Sequence, residues 1–291
     1  MYVKNICKKV IRKAFGELKN DDIYRVVKKL QPHPILSFEI HLAEHCNLNC
    51  KGCDNFSPIA EPSLIDVDVL EKDLIRLSEL CDGTAKRIHL LGGEPLLHPD
   101  VIDIMRIVRK YFQNAQIDVY TNGVLLDKQN EEFWETCKNE HINIVVTKYP
   151  VKVDYEKSEK KANQYGVGFE YCNGNEEVKK LFRITMDTSG MQDEFDSFVR
   201  CHRANACITL KNGKLYTCTT IPNIEHYNKM FNEKLGVTDK DYVDIYSISD
   251  FDEMMEKLAK PVPFCRYCAI GADSKLYDWS QSKKEKSEWT L

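Results

Sequence analysis

Residues 41–55 read HLAEHCNLNCKGCDN, with Cys46, Cys50 and Cys53 in a C-x3-C-x2-C cluster. Just upstream, Phe38–Ala43 (FEIHLA) alternates as a strand does, so the cysteines sit on a loop leaving a strand end. The basic N-terminus, MYVKNICKKVIRKAFG, has no continuous apolar h-region and does not read as a secretory signal. A soluble cytoplasmic protein is therefore expected, and in a reducing compartment clustered thiols read as metal ligands rather than disulfides. Three thiolates leave a tetrahedral ion one ligand short. His41 or His45 could complete a Cys3His zinc site. Alternatively, a four-iron cluster held by three cysteines leaves one iron open to a small molecule.

Working outward, apolar periodicity alternates between strand and helix. Residues 62–81 read as a helix with Val67, Leu70, Leu74 and Leu77 on one stripe. Arg87–Leu91 is a strand followed by Gly-Gly-Glu-Pro. His98–Phe112 is a helix with Pro99 near its first turn. Gln116–Tyr120 is a strand followed by Thr-Asn-Gly, 127–139 a helix, and Ile142–Val146 a strand followed by Thr147-Lys148-Tyr149-Pro150. Residues 154–165 form a polar helix and Val167–Tyr171 a strand. Such a βαβ series implies a parallel sheet or barrel, whose ligands bind beyond the carboxyl ends of the strands. Every special motif follows a strand, so one site can collect them all.

The rhythm breaks near residue 183. Ile208–Leu210 and Leu215–Cys218 flank Lys211-Asn212-Gly213 as a hairpin. A polar loop region with scattered aromatics follows, then a helix at 249–259, the CRYC stretch at 265–268, and a charged tail, SKKEKSEW, expected at the surface. Residues 1–36 read as a helical extension, with Val3, Ile6, Val10 and Phe15 apolar and Lys4, Lys8, Lys9, Arg12 and Lys13 basic. The expected divisions are 1–36, 37–182 and 183–291.

The 291 residues suffice for one large domain and a smaller appendage. A net charge of −4 gives no basic footprint for nucleic acid. No apolar run approaches the roughly 18 residues of a membrane span. Twelve cysteines is high, and beyond the first cluster Cys201, Cys207, Cys218, Cys265 and Cys268 gather in the C-terminal third. Cys7, Cys81, Cys137 and Cys172 are scattered.

The C-x3-C-x2-C loop, Gly92-Gly93-Glu94-Pro95 and Thr121-Asn122-Gly123 at successive strand ends together resemble the radical S-adenosylmethionine (radical SAM) superfamily. The resemblance covers about residues 37–180. It implies an α/β fold, a partial (β/α)6 barrel with a smaller C-terminal α+β module. It also implies a 4Fe-4S cluster on Cys46, Cys50 and Cys53 with one open iron, on which SAM is chelated and cleaved to a 5′-deoxyadenosyl radical that abstracts hydrogen from substrate. Gly92, Gly93, Glu94 and Pro95 are then expected around the methionyl ammonium, Thr121 and Asn122 near the ribose and carboxylate, and Thr147 and Lys148 near the carboxylate. The superfamily often has an aromatic residue before the third cysteine; here it is Gly52.

Cys201, Gly213 and Cys218 follow a C-x11-G-x4-C spacing, closed by Cys265-x2-Cys268. This resembles the SPASM and twitch modules that hold auxiliary clusters; with no cysteine after Cys268, it is closer to the single-cluster twitch form. The resemblance assigns a second 4Fe-4S cluster to Cys201, Cys218, Cys265 and Cys268. Cys207 is a substitute ligand, a hydrogen-atom donor to a substrate radical, or inert; Cys172 is a second candidate donor. A structural zinc site is the alternative for the group. The twitch-like form points to a small-molecule substrate, such as a sugar or aminocyclitol, with oxidation or epimerisation as outcome and a flavodoxin- or ferredoxin-type electron donor. A peptide-modifying maturase and a non-catalytic Fe–S or zinc protein are the rival readings.

Overall fold

The computed structural model describes residues 20–182, 185–270 and 276–291. The apolar and basic positions named above in residues 1–19 lie outside these. Helix α1 (Asn20–Lys29) precedes strand β1 (Leu36–Ala43). There follow α2 (Val67–Leu80), β2 (Ala85–Gly92), α3 (Val101–Tyr111), β3 (Gln116–Thr121), α4 (Glu131–Asn139), β4 (Ile142–Val146), α5 (Tyr155–Tyr165) and β5 (Phe169–Tyr171). The anticipated alternation is present, with ends shifted by a few residues.

Strands β1 to β5 lie in sequence order and pair in parallel, from Phe38↔Ile88 and Ile88↔Ile117 to Ile117↔Ile142 and Ile144↔Phe169. Three of these helices are pinned by a side-chain cap. Asp66 caps α2 by accepting from the Val69 amide at 3.0 Å, Asn130 caps α4 through Phe133 at 2.9 Å, and Asp154 caps α5 through Lys157 at 3.0 Å. The α2 stripe buries Leu70, Leu74 and Leu77 against Phe38, Ile40 and Leu42 of β1 in one continuous core. With one face of β1 given to helices, Glu39 and His41 take the other, the inside of the barrel curve.

The chain continues through β6 (Lys180–Phe182), β7 (Thr185–Met186), α6 (Glu194–Arg200), β8 (Thr209–Lys211) and β9 (Lys214–Tyr216). Asn212 and Gly213 both have positive φ (50° and 71°), the signature of a two-residue hairpin turn, as the Asn-Gly pair predicts. The hairpin does not stand apart. β8 pairs in parallel with the free edge of β1 (Glu39↔Thr209, Ile40↔Leu210), so six strands of the main sheet run parallel and the sixth arrives beside β1. Strand β10 (Tyr242–Asp244) adds antiparallel to β9.

Two expectations are corrected. The region after the hairpin contains helix α7 (Thr220–Phe231), where a polar loop is expected. Its polar residues are buried because they satisfy one another: Asn223 donates to the Thr219 carbonyl at 2.9 Å, and His226 meets Glu44 at 2.7 Å. Beyond α8 (Phe251–Leu258), β11 (Cys268–Ala269) and β12 (Leu276–Asp278), the charged tail keeps Lys283, Lys284, Glu285, Lys286 and Ser287 exposed, as expected, but its last two residues, Glu288 and Trp289, are docked. Trp289 is 3% exposed and packs with Phe56 in a second core that also holds Phe198, Tyr227 and Phe264. Among the described residues, no helix is long and apolar enough to cross a membrane.

Candidate active site

The loop after β1 carries Cys46, Cys50 and Cys53, and all three line one cavity of roughly 310 Å³ at the strand ends. The loop is tightly wound, with Asn49, Gly52 and Phe56 at positive φ (53°, 62° and 55°). At Gly52 this left-handed backbone disfavours any side chain, which accounts for the missing aromatic residue. Tyr120, Tyr149 and Tyr277 bring rings to the same cavity instead.

Gly92 and Gly93 let the strand-β2 turn lie against this loop. A Cβ on Gly93 would stand 2.0 Å from the His45 carbonyl oxygen, and one on Gly92, at φ 132°, would stand 2.5 Å from that of Ala43. The approach is sealed by Gly93 N–H donating to Ala43 at 2.7 Å and Glu94 N–H to His45 at 3.1 Å. Both glycines line the cavity, as do Thr121, Asn122 and Thr147. Asn122 also reaches the cysteine loop, donating to the Asn47 side chain at 2.7 Å.

Glu94 sits lower, 1% exposed, and is not part of the cavity wall. Its carboxylate accepts from Leu96 N–H (3.2 Å), Thr121 hydroxyl (2.7 Å) and Asn122 N–H (3.0 Å), locking the two turns together. Burial pushes it up to about 7 against those hydrogen bonds. Pro95 opens a short 3-10 turn behind it. Lys148 also misses the cavity: its ammonium pairs with the Asn175 side chain and lies 4.1 Å from the Tyr171 ring centroid.

A match to a known family fits this geometry: residues 40–148 match the family model described as the radical SAM superfamily. Residues 40–148 form a radical SAM domain. Among curated relatives, a probable GTP 3′,8-cyclase of Thermoplasma volcanium is 33% identical over 101 residues, 35% of this chain and 30% of its own length. The PqqA peptide cyclase of Gluconobacter oxydans is 26% identical over 117 residues, 39% of this chain and 30% of its own length. The chain thus spans about a third of these relatives. Among solved structures, BtrN in complex with AdoMet and 2-DOIA superposes with a TM-score of 0.51 at 18% identity, covering 90% of this chain and all of that one, a likeness of fold.

For the radical SAM cluster the donor set fits. The three thiols are free and share one cavity wall. Burial pushes Cys46 up to about 11, Cys50 up to about 12 and Cys53 upward, so metal uptake must displace their protons. Among the described residues, no group of His, Cys, Asp or Glu is arranged to hold a single metal ion. His41 is turned to Thr219 and Asn223, each at 3.2 Å, away from the thiols.

The second thiol group is distinct. Cys201, Cys218, Cys265 and Cys268, far apart in sequence, line one closed pocket of roughly 10 Å³ with Phe264 and Ile221. All four are buried, and Ser197 ties α6 to the Cys268 carbonyl at 2.8 Å. Cys207 is not in this pocket; it lines the radical SAM cavity with Glu39. Burial and the neighbouring Glu39 carboxylate push its thiol strongly upward, keeping it protonated. Cys172 is exposed beyond β5 and is not part of the cavity wall.

Some site residues carry no sequence signal. Arg203, 7% exposed, pairs with Asp54 and lines both thiol pockets, while its Nη1 is buried without a hydrogen-bond partner. That orphaned donor beside four thiols suits an anionic group in the closed pocket, as an iron–sulfur cluster would be. The C-terminal tail clamps the first loop. Trp279 Nε1 lies 3.1 Å from Cys50 Sγ, Trp289 Nε1 donates to the Cys53 carbonyl at 2.8 Å, and Lys51 N–H reaches the Ser280 carbonyl at 2.9 Å.

Proposed function

We propose that the chain is a radical SAM enzyme with one auxiliary cluster that oxidises or epimerises a small polar molecule, such as a sugar or aminocyclitol. The observation that carries this is the common cavity of Cys46, Cys50 and Cys53 with the Gly92-Gly93 and Thr121-Asn122 turns and, in the same lining, the Cys207 thiol. In this reading, residues 37–182 supply the radical SAM core and 183–291 the auxiliary module, with Cys201, Cys218, Cys265 and Cys268 as ligands.

When bound, S-adenosylmethionine on the open iron of the 4Fe-4S cluster supplies a 5′-deoxyadenosyl radical that removes a hydrogen atom from substrate. The chain's own residues do the rest. Gly92 and Gly93 seat their turn against the cysteine loop and leave its backbone on the cavity wall for the methionyl group, with Asn122 and Thr147 on the same wall for its polar end. Glu94 holds the two turns in place from below. Tyr120, Tyr149 and Tyr277 offer faces for the adenine, in place of the aromatic absent at Gly52. Lys148 is left out of the binding set, its ammonium engaged with Asn175 and Tyr171.

Substrate occupies the remaining wall of Glu39, Asn55, Cys207 and Thr219. Cys207 Sγ–H, not Cys172, is the thiol placed to return a hydrogen atom, which favours epimerisation; Glu39 is placed to accept a hydroxyl proton, which serves oxidation. A cytoplasmic flavodoxin- or ferredoxin-type protein is the electron donor in this account.

The test is turnover of a panel of sugars and aminocyclitols in D2O. Epimerisation places one solvent deuterium on the inverted carbon, lost in Cys207→Ser. Oxidation gives a carbonyl product without deuterium. Modification of peptides alone would overturn the small-molecule reading.

A further inference from the structure

Arg203 stands where the two thiol sites meet. It follows Cys201 by two positions, and its partner Asp54 directly follows Cys53, 149 residues earlier in the chain. The pair is therefore a link between the two metal-site loops themselves. The guanidinium borders the open cavity and the closed pocket at once. Its charges are unevenly served: Nη2 meets the Asp54 carboxylate, whereas Nη1 is buried with no hydrogen-bond partner, and the residue borders the pocket of Cys201, Cys218, Cys265 and Cys268. A buried donor left unmet is costly, so such a group is kept where something accepts from it. Guanidinium suits the position because its planar fork stays charged and serves two anions in different directions.

We propose that Arg203 is a positioning residue shared by the two metal sites: one end anchors the radical SAM loop through Asp54, and the other donates to the auxiliary cluster. This rests on the reading of Cys201, Cys218, Cys265 and Cys268 as ligands of an iron–sulfur cluster. Two consequences follow. The cation and its N–H favour the added electron on the auxiliary cluster, because hydrogen bonds and charge near the sulfurs raise the potential. Asp54, on the other loop, offsets part of that charge. The electron affinity of one site is thereby set partly by the loop of the other.

The experiment uses the full-length chain loaded with iron and sulfide under anaerobic conditions. Iron content is measured first, then the midpoint potential of the EPR signal that does not respond to added S-adenosylmethionine. The wild-type chain should hold about eight irons, two four-iron clusters. Arg203→Gln should shift that potential negative, and Asp54→Asn, which uncovers the guanidinium charge, should shift it positive. A merely structural role would not move the two variants in opposite directions. With both clusters loaded, unchanged potentials or shifts of the same sign overturn the inference alone. About four irons in the wild type, all lost on changing Cys46, Cys50 and Cys53 to alanine, overturn the auxiliary-cluster reading and the inference with it. Should Arg203→Gln fail to load the second cluster, Asp54→Asn decides, a positive shift supporting the inference and any other result overturning it.

Discussion

The two thiol groups differ in number, in setting and in how the chain presents them. The first holds three cysteines within eight residues of loop, facing a cavity of roughly 310 Å³. The second holds four cysteines from three separate segments, closed over roughly 10 Å³. Metal sites that do chemistry keep a coordination position open, and those that only hold or store are closed. In the proposed reading, the first site binds and activates a small molecule, and the second accepts or relays electrons. Cys207 sharpens the contrast, because it lies in the same sequence neighbourhood as the second group but faces the first cavity.

The largest effect should come from separating the two sites by mutation. Changing Cys46, Cys50 and Cys53 together to alanine should remove about half of the iron, and changing Cys265 and Cys268 should remove the other half. Loss of all iron from either variant would break the picture of two independent sites. Cys207→Ala should leave the iron content unchanged; a loss of iron would return Cys207 to the ligand set.

Next is Gly93→Ala. The added methyl would meet the His45 carbonyl at 2.0 Å, so the Gly-Gly-Glu-Pro turn must lift from the cysteine loop. S-adenosylmethionine affinity, read by equilibrium dialysis on loaded protein, should fall at least about tenfold, while the closed site keeps its cluster. Unchanged affinity would contradict the packing argument.

Trp289→Ala probes the tail that clamps the cysteine loop of the open site from within the second core. Removing a fully packed indole should cost about 3–5 kcal/mol, seen as a lower midpoint in thermal or urea unfolding. A loss below about 1 kcal/mol would mean that the tail merely rests on the loop.

The smallest effect is electrostatic. In the metal-free chain, burial raises Cys46 to about 11, Cys50 to about 12 and Cys218 to about 11, against 9.0 unperturbed. The folded chain therefore keeps protons that the unfolded chain releases. Stability from these groups is complete below pH 9 and is lost as pH climbs through 9 to 12. Unfolding midpoints of the metal-free protein should fall across that window, and the loaded protein, whose thiolates are already ligated, should fall less.

What could be read from sequence follows the same contrast. The open site is written locally: one strand, one loop and two turns at neighbouring strand ends, so spacing alone collects Gly92, Thr121 and Asn122 with the cysteines. The βα alternation was equally legible, because each helix buries a regular stripe such as Leu70, Leu74 and Leu77. Helix α7 was not, because His226 and Asn223 are buried among partners rather than in water, and polarity reads as exposure when partners are unknown. The tail is legible only in part: Lys283, Lys284, Glu285, Lys286 and Ser287 are exposed as their charge suggests, whereas Glu288 is buried by its bond to Ser282 and Trp289 by its bond to the Cys53 carbonyl, contacts that polarity does not reveal. Spacing left Cys207 undecided, since β8 turns it to the barrel side only once it pairs with β1. Arg203 and Asp54 gave no signal, being joined by tertiary structure alone.

The central claim is that the open site cleaves S-adenosylmethionine. The most direct measurement is 5′-deoxyadenosine formed by anaerobically loaded, dithionite-reduced protein, with the Cys46, Cys50 and Cys53 triple alanine variant as control. The account predicts 5′-deoxyadenosine from the wild type, increased by a true substrate, and none from the variant. Fully loaded wild type that binds S-adenosylmethionine yet yields none across the substrate panel, or a variant that still yields it, would contradict the account.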